Sequence, residues 1–492
     1  MSRRSSRLAR RVLLILVLIG CQTVDEPSSD GKCWGEPVPV DENVGGVFRP
    51  QIAVDAMGNQ IAVWDQPNKD TPALPDSSDD LWSNHRAPGS PSWDGAALRE
   101  EYEEEDEPDD ANRPRIGLDA EGNALVVYVQ HDGVYFRVMS LRYFVKDGWT
   151  PKPECIQSTP DDVDCDALSL EGHAWRTEVA VDPRGNAVVV WQATSTERES
   201  IWSNRLSESG QWGGAQMVVP NDINDLLAPD VAMDESGHAI AVWEQFDGER
   251  SRIRSQRQMP SGEWVEEQPV AVGLGDAFEP RIAADAEGNA IAVWQQQVDD
   301  RTFEVWANRY LASTRSWEVP AVIGPSDAGD ASNPEIAMDA EGNAVAVWAQ
   351  SRGALDGVWS NRYDAGAGWR SATHIGPRGL GGARSPQIAM SPDGHAVAVW
   401  LQFDGFTDRV GSNRSTSSGV WGRSEFILAP EAETRAIDPQ VAIDPLSNAT
   451  AIWLSESPAM ARSFDLFSSR LDICPSAQTQ ELRRFLYGAG DQ

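Results

Sequence analysis

PRIAADAEGNAIAVWQQ (residues 280–296) and PEIAMDAEGNAVAVWAQ (residues 334–350) decide the fold of this 492-residue chain. The two stretches are nearly identical and begin 54 positions apart. Close internal copies indicate a repeat architecture, in which each copy is one supersecondary unit. The number of copies and their spacing therefore determine how the rest of the chain is interpreted.

The motif Pro-x-Ile-Ala-x-Asp-x-x-Gly-Asn-Ala-x-Ala-Val-Trp-x-Gln occurs, with substitutions, eight times. The copies begin at Pro50, Pro114, Thr177, Pro229, Pro280, Pro334, Pro386 and Pro439. From the third copy onward the intervals are 51 to 54 residues, whereas the first two are 64 and 63. The longer intervals predict insertions in units one and two, at about residues 67–113 and 150–176.

Each unit has the pattern of four short strands. Two apolar runs flank a turn that begins with Asp and has Gly at its fourth position, where a positive φ is accessible. A third run such as Val358–Tyr363 follows, and a fourth begins at a Trp such as Trp317. Strands separated by frequent turn signals predict an all-β protein. Four strands in each of eight units predict an eight-bladed β-propeller of four-stranded antiparallel blades.

The two ends of the chain predict how the ring closes. Residues 33–40 (CWGEPVPV) resemble an isolated fourth strand, and the last unit stops after its third strand at residues 464–472. We therefore expect a propeller over residues 33–474, with residues 33–40 as the outer strand of the last blade. Such closure removes exposed sheet edges.

The cysteines fit this arrangement, because Cys33 and Cys474 border the two strands that would pair. In an exported protein an even number of cysteines predicts disulfides, here Cys33–Cys474 and Cys155–Cys165. The alternative is four free thiols.

The N-terminus has the pattern of an export signal. Five arginines precede an apolar run that is shorter than the roughly 20 residues needed to cross a bilayer. Residues 18–21 (LIGC) resemble the lipobox of bacterial lipoproteins. The resemblance implies a signal peptide at residues 1–20, cleavage before Cys21 and lipidation of Cys21. A flexible tether would then occupy residues 21–32. The alternative is an ordinary signal peptide, and the tail at 475–492 is predicted to contain a short helix.

The repeated sequence motif IAVDAxGNAxAVW resembles NHL-type and related bacterial β-propeller repeats over nearly all of residues 50–471. The resemblance implies a propeller that binds proteins, glycans or other ligands. The Trp-Ser-Asn-Arg third strand and the Trp-led fourth strand are not part of that family pattern. The sialidase Asp-box has a different spacing and does not match.

The charge of the chain excludes one class of partner. The formal net charge is −35, and cleavage of the signal would remove five arginines and no acid, which lowers it to about −40. Nucleic-acid binding requires a basic surface, so no nucleic-acid partner is expected. The lipid anchor predicts a protein held at a membrane in the bacterial cell envelope, at the outer membrane or cell surface and facing away from the cytoplasm. We expect the protein to be a monomer.

Most repeated polar residues are interpreted as scaffold. A catalytic residue is needed once, whereas the turn aspartates recur at Asp55, Asp119, Asp182, Asp234, Asp285, Asp339 and Asp444. The third-strand arginines (Arg205, Arg309, Arg362, Arg414 and Arg470) are expected to form a repeated hydrogen bond or to stack on a neighbouring Trp. The glutamines at the ends of the second strands, including Gln192, are also assigned to the scaffold. No metal-binding, nucleophile or phosphate-loop motif occurs at the required spacing, so no catalytic residue is assigned.

The loops differ between units, and loops held by a rigid scaffold commonly carry specificity. The inter-blade loops and those after the second strands are predicted to project from one face, and they are rich in acids and Phe. The ligand-face candidates are Asp222, Asp225, Asp247, Asp276, Asp299, Asp300, Asp327, Asp330, Asp404, Phe246, Phe278, Phe403 and Phe406. Such a face suits calcium, a cationic ligand or a sugar. The alternative is that the acids serve only solubility.

Two functions follow from this sequence. The first is a non-enzymatic, lipid-anchored binding or adhesion module for protein or glycan ligands, with calcium as the one candidate cofactor. The second is a glycoside hydrolase or lyase that uses carboxylates at the central channel. The enzyme requires a non-repeated pair of acids roughly 5–10 Å apart, whereas a binding module does not.

Overall fold

The computed structural model describes residues 32–41, 46–67, 79–99, 111–131, 134–158, 173–194, 198–219, 225–271, 273, 275–299, 302–325, 329–351, 357–427, 434–457 and 463–473. All regular elements in these ranges are β-strands. Residues Trp34–Asp472 form one compact unit. The sequence prediction of an all-β chain is confirmed.

The strands form eight antiparallel sheets, here called blades one to eight, each with an inner, second, third and outer strand. Blade one consists of Phe48–Val54, Gln60–Pro67, Asp79–Arg86 and Ala97–Leu98. Blade two consists of Ala111–Leu118, Ala124–His131, Phe136–Phe144 and an outer strand in two pieces, Gly148–Trp149 and Glu154–Cys155. Blade three consists of His173–Val181, Ala187–Thr194, Glu199–Leu206 and Gln216–Met217, and blade four of Leu226–Met233, Ala239–Phe246, Ser251–Gln258 and Trp264–Pro269.

Blade five consists of Ala277–Ala284, Ala290–Gln297, Phe303–Leu311 and the outer pieces Ser316–Trp317 and Ala321–Val322, and blade six of Ala331–Met338, Ala344–Gln350, Gly357–Asp364 and the outer pieces Gly368–Trp369 and Thr373–His374. Blade seven consists of Arg384–Met390, Ala396–Phe403, Asp408–Ser415 and Glu425–Phe426. Blade eight consists of Ala436–Ile443, Ala449–Glu456, Phe464–Ile473 and the outer pieces Lys32–Trp34 and Val38–Pro39. The inner strand of each blade contacts the inner strand of the next, and that of blade eight contacts that of blade one. The blades therefore form a closed ring.

The N-terminal segment completes blade eight, as predicted. Val38 and Pro39 pair with Ser468 and Phe467 of the third strand, and the Gly35 N–H donates to the Arg470 carbonyl at 2.9 Å. The first residues of the propeller and its last strand thus build one sheet, which leaves no open edge between the ends of the ring.

The same segment also makes the inter-blade contacts of an outer strand. In blade five Trp317 donates through Nε1 to Ser255 Oγ of the preceding blade at 2.7 Å, and Trp34 donates in the same way to Ser412 Oγ at 2.8 Å. At the junction with blade one, Trp93 Nε1 donates to Ser468 Oγ at 2.9 Å. The closure is therefore equivalent to the other junctions.

In seven of the eight blades, an aspartate at the start of the inner turn caps that turn. Asp285 Oδ1 accepts from the N–H groups of Glu287 and Asn289 at 3.1 and 2.8 Å, and Oδ2 accepts from the Asn289 side chain at 2.8 Å. A Cβ added to Gly342, in the next blade, would lie 2.8 Å from Asp285 Oδ2. The turns of adjacent blades therefore touch, and the scaffold assignment of these aspartates has a structural basis.

The third-strand arginines also join blades. Arg205 Nη2 donates to the Gly237 carbonyl of the next blade at 2.8 Å, and Arg362 Nη1 donates to the Gly394 carbonyl at 3.3 Å. Arg309 instead lies over the ring of Tyr363 at 5.4 Å. The stacking partner is thus a Tyr rather than the Trp that we expected.

The core lies between blades, around the second strands. Both faces of these strands are buried, and seven of them carry a fully buried Trp, with Tyr128 in blade two. Ala290, Ala292 and Trp294 of blade five pack against Ile240 and Val242 of blade four. Small residues let the sheets approach while the Trp fills the wider space between them.

Several predictions lie outside the described residues. These are the signal peptide, Cys21, most of the tether and the C-terminal tail. The second cysteines of both disulfides, Cys474 and Cys165, are also outside, so both pairings stay predictions. In the described ranges, no helix is long and apolar enough to span a bilayer. The insertions are narrower than predicted, because residues 79–86 and 97–98 form the third and outer strands of blade one.

Candidate functional site

Every inner strand contains a bulge at the same place. The register of each inner strand with its second strand shifts around the first residue of the repeat motif, for example between Phe48 and Gln51. The residue immediately before that motif has a positive φ of 46–58° in all eight blades, and none of these residues is glycine. A positive φ is sterically costly for residues with a side chain, and such strain accumulates at functional sites.

These eight residues are called the mouth ring, because they lie near the start of the inner strands. They are Arg49, Arg113, Arg176, Ala228, Glu279, Asn333, Ser385 and Asp438. The backbone is the same in every blade, but the side chains differ in size and charge. The sequence analysis missed this ring because the consensus motif begins one residue later. An alignment of the eight copies would have shown one variable position beside a nearly constant proline.

The residue after the proline position forms a second set, called the channel ring. It consists of Gln51, Arg115, Glu178, Asp230, Arg281, Glu335, Gln387 and Gln440. Its members follow the mouth ring by two residues, across the bulge.

Ion pairs join the channel ring across blades. Arg115 binds Glu178 through Nε and Nη2, at 3.0 and 3.2 Å. Arg281 Nε lies 3.1 Å from Glu335 Oε1. Burial raises the pKa of Glu335, whereas the charge of Glu335 raises the pKa of Arg281. These ion pairs tie together the inner strands of blades two and three and those of blades five and six.

Asp230 is the channel-ring acid that is held by backbone groups. Its carboxylate accepts from the N–H groups of Val231 and Ile282, at 2.8 and 2.9 Å. Burial raises its pKa to about 7, and the charge of Arg281 acts in the opposite direction. The acids of this ring are already used within the scaffold, which leaves the mouth ring and its surroundings as the better candidate site.

Two cavities lie beside the mouth ring. The arginine cavity has a volume of about 400 Å³ and is lined by Arg49, Pro50, Gln51, Arg113, Arg115, Arg176, Thr177, Ser385, Gln387, Asp438, Pro439 and Gln440. The glutamate cavity has a volume of about 410 Å³ and is lined by Arg176, Gln192, Leu227, Glu244, Phe278, Glu279, Gln295 and Phe303. Arg176 belongs to both. Cavities of this size suit small ligands or single sugar units.

One arginine–carboxyl pair flanks the arginine cavity. Arg49 Nη1 lies 2.6 Å from Asp65 Oδ2, and the Asp65 side chain is completely buried. Burial raises the pKa of Asp65 to about 8, although the charge of Arg49 opposes that shift. Burial also raises the pKa of Asp438, again against Arg49.

The glutamate cavity contains two acids that the repeat does not require. Burial raises the pKa of Glu244, which accepts from Ser251 Oγ at 3.0 Å, and the charge of Glu279 raises it further. Glu279 accepts from Gln295 Nε2 at 2.5 Å. These two carboxylates act on each other electrostatically and line one cavity.

Gln192 also lines this cavity, and its contacts differ from those of the glutamines with which we grouped it. In blades one, five, six and seven the glutamine two residues after the buried Trp accepts from the Trp, as Gln66 does from Trp64 at 3.0 Å. Gln192 lies only one residue after Trp191, so its side chain cannot take that role. Its Oε1 accepts from the Ala228 N–H at 3.3 Å and its Nε2 donates to Glu199.

The predicted loop acids mainly hold loops and strands in place. Asp225, Asp276 and Asp330 accept from the N–H groups of Glu199, Ser251 and Phe303, each at the third strand of the preceding blade.

Asp247 and Asp404 cap the turns after the second strands, and Asp299 is exposed. Asp222, Asp300 and Asp327 lie outside the described residues. Within the described ranges, no group of three or more His, Cys, Asp or Glu residues is placed to hold a metal ion. Calcium therefore stays a prediction.

The predicted phenylalanines are unevenly placed. Phe406 is 94% exposed, whereas Phe246 and Phe403 are only moderately exposed. Phe278 packs against Phe303 at 5.9 Å between ring centroids and lines the glutamate cavity. Of these phenylalanines, Phe278 is the one that lines a cavity described above.

The ring of eight blades around a channel defines this chain as a β-propeller. No protein family matches the sequence, and no curated protein is significantly similar to it.

Solved structures are similar only in fold. A protein of unknown function from Dyadobacter fermentans is 11% identical, with a TM-score of 0.43, and the match covers 90% of this chain and 100% of that one. A polysaccharide lyase described as an ulvan lyase is 8% identical, with a TM-score of 0.44 and coverages of 88% and 95%. A sialidase from Trypanosoma rangeli is 10% identical, with a TM-score of 0.39 and coverages of 93% and 62%. At such low similarity these likenesses say nothing about what this chain binds or catalyses.

Proposed function

We propose that this chain is a lipid-anchored, non-enzymatic binding module of the bacterial cell envelope, which holds a protein or glycan ligand at the mouth of its channel. The observation that carries the proposal is the mouth ring. Eight identical, strained backbone positions present side chains that differ from blade to blade. A constant frame with variable chemistry is what recognition requires.

The surroundings of the mouth ring support this proposal. Two adjacent cavities open beside it, with polar groups from several blades and with Phe278 and Phe303 as apolar contacts. The proposed envelope localisation and lipid anchor are inferred from the lipobox-like residues 18–21.

A binding survey tests the proposal. The chain from residue 22 onward would be applied to a glycan array and used for pull-down from envelope extracts, with and without calcium. We expect at least one retained ligand, and a competitor that blocks the mouth ring should release it. If neither survey yields a ligand, the binding function is wrong. If calcium changes neither the melting temperature nor the binding, calcium should be abandoned as a cofactor.

A second candidate function is cleavage of a polysaccharide in the glutamate cavity. It is favoured by Glu244, whose raised pKa suits a proton donor, and by the nearby Glu279. Incubation with acidic and neutral polysaccharides should then release reducing ends or unsaturated products. Glu244→Gln should remove that activity without changing the melting temperature by more than a few degrees. Equal activity in the variant would exclude this mechanism.

A further inference from the structure

The arginine cavity is basic although the chain is strongly acidic. The formal net charge is −35, yet this cavity is lined by Arg49, Arg113, Arg115 and Arg176, with Asp438 as the one acid among the described residues of its lining. The field of the whole chain repels anions. Four guanidinium groups at one cavity therefore require a local explanation.

Two of these arginines already have carboxyl partners. Arg49 binds Asp65, and Arg115 binds Glu178. For Arg113 and Arg176, the described residues provide neither an ion pair nor a hydrogen-bond acceptor for the guanidinium. Arg113 lies over the ring of Trp175 at 5.1 Å. Both groups thus retain all their hydrogen-bond donors for a ligand.

The arginines are close enough to affect one another. Burial lowers the pKa of Arg113, and the charges of Arg49, Arg176 and Arg115 lower it further. Keeping like charges together costs free energy, which an anion bound between them would offset. Guanidinium groups bind carboxylates with two parallel hydrogen bonds, which gives geometric selectivity as well as affinity.

An aromatic surface lies beside Arg113. The ring of Trp175 is 4.7 Å from that of Phe136 and 5.7 Å from that of His173, and Tyr135 lies 5.7 Å from His173. These residues come from the start of the blade-three inner strand and from the start of the blade-two third strand. They therefore lie at the same end of the propeller as the mouth ring. Aromatic rings provide flat apolar contact area, onto which the C–H face of a sugar can pack.

We propose that the arginine cavity binds the carboxylate of an acidic sugar through Arg113 and Arg176, with the sugar ring against the Trp175 aromatic surface. This inference rests on the proposed binding function and names the ligand class at the same mouth ring. The aromatic neighbours favour a sugar over an acidic peptide.

Calorimetric titration of the chain from residue 22 onward tests this assignment. The probes are a short glucuronic-acid oligosaccharide, its carboxyl-reduced neutral counterpart and an acidic peptide. We expect the acidic oligosaccharide to bind at least tenfold more tightly than the neutral one. Arg113→Gln and Arg176→Gln should each weaken it about tenfold or more, since each removes one charged donor group. Arg113→Lys should bind more tightly than Arg113→Gln but more weakly than the wild type, because lysine keeps the charge and lacks the planar guanidinium group.

Arg315→Gln is the matched control. Arg315 is exposed, has a positive φ of 55° like the mouth-ring arginines, and lies in the turn between the third and outer strands of blade five. Its replacement should leave binding unchanged. Arg176 is itself exposed, so its variant should fold even if that of Arg113 does not, and a melting curve checks each protein.

Three results would overturn the inference: equal affinity for acidic and neutral oligosaccharides, equal weakening by Arg315→Gln, or binding of the acidic peptide alone. If another ligand binds at the mouth ring and is insensitive to Arg113 and Arg176, the proposed function survives and this ligand assignment fails. If the acidic oligosaccharide does not bind and the binding survey also yields no ligand, both proposals fail.

Discussion

Replacing Asp285 with alanine should destabilise the propeller through one turn. Asp285 is 4% exposed and accepts three hydrogen bonds, from the N–H groups of Glu287 and Asn289 and from the Asn289 side chain. A hydrogen bond to a charged group contributes about 1.5–3 kcal/mol. Because such values are not additive and water can reach part of the turn, we expect a total loss of about 3 kcal/mol.

This loss converts into a modest change in melting temperature. Unfolding of a unit that spans Trp34–Asp472 carries an entropy of roughly 0.9 kcal/mol per kelvin, so the melting temperature should fall by about 3 °C. Scanning calorimetry measures the shift. Asp285→Asn should have a smaller effect, because its amide oxygen can still accept from the turn.

Blade seven provides the matched control, since Ser391 occupies the same position there. The Ser391 hydroxyl donates to Asp393 and also contacts the His395 carbonyl at 3.2 Å. Ser391→Ala should therefore cost only about 1 kcal/mol, or roughly 1 °C. Equal shifts for Asp285→Ala and Ser391→Ala, or no shift for Asp285→Ala, would refute the assignment of the aspartate as a turn cap.

Three further predictions concern the closure, the pH dependence and the cysteines. Trp34→Phe and Trp317→Phe each remove one Trp-to-Ser hydrogen bond between blades, so calorimetry should show equal losses of about 1 kcal/mol; a far larger loss for Trp34 would mean that the closing strand is not equivalent to the others. Because the pKa of Asp65 is raised from 3.8 to about 8, the folded protein holds a proton that the unfolded chain releases. This group should therefore lower the free energy of unfolding, relative to that of Asp65→Asn, by up to about 1.4 kcal/mol per pH unit from about pH 4 to 8. Urea titrations from about pH 4 to 8 measure the free energy of unfolding of both proteins. If that free energy changed equally with pH in the wild type and in Asp65→Asn, the prediction would be wrong. Peptide mapping without reduction should find Cys33 linked to Cys474 and Cys155 linked to Cys165. The first link would restrain the unfolded chain by roughly 6 kcal/mol, and any other pairing would show that the prediction is wrong.

The sequence by itself determined the repeat, the strands and the closure. These features depend on local chemistry: an Asp and a Gly shape each inner turn, and a Trp with small residues marks each buried strand. Residues 33–40 could be placed in blade eight because they have the pattern that the last unit lacks. A one-residue difference in position, however, gives Gln192 contacts that differ from those of the glutamines with which we grouped it.

Only the tertiary structure decided which side chains meet at the channel. Arg49 and Asp438 are 389 positions apart in sequence, and their blades become neighbours, with both residues lining one cavity, only when the ring closes. The positive φ of the mouth ring is likewise imposed by the bulged pairing of inner and second strands, and the types of these residues do not predict it. Turns and strands arise from interactions between near neighbours in sequence, whereas a binding site on the axis of a ring arises from contacts among several blades.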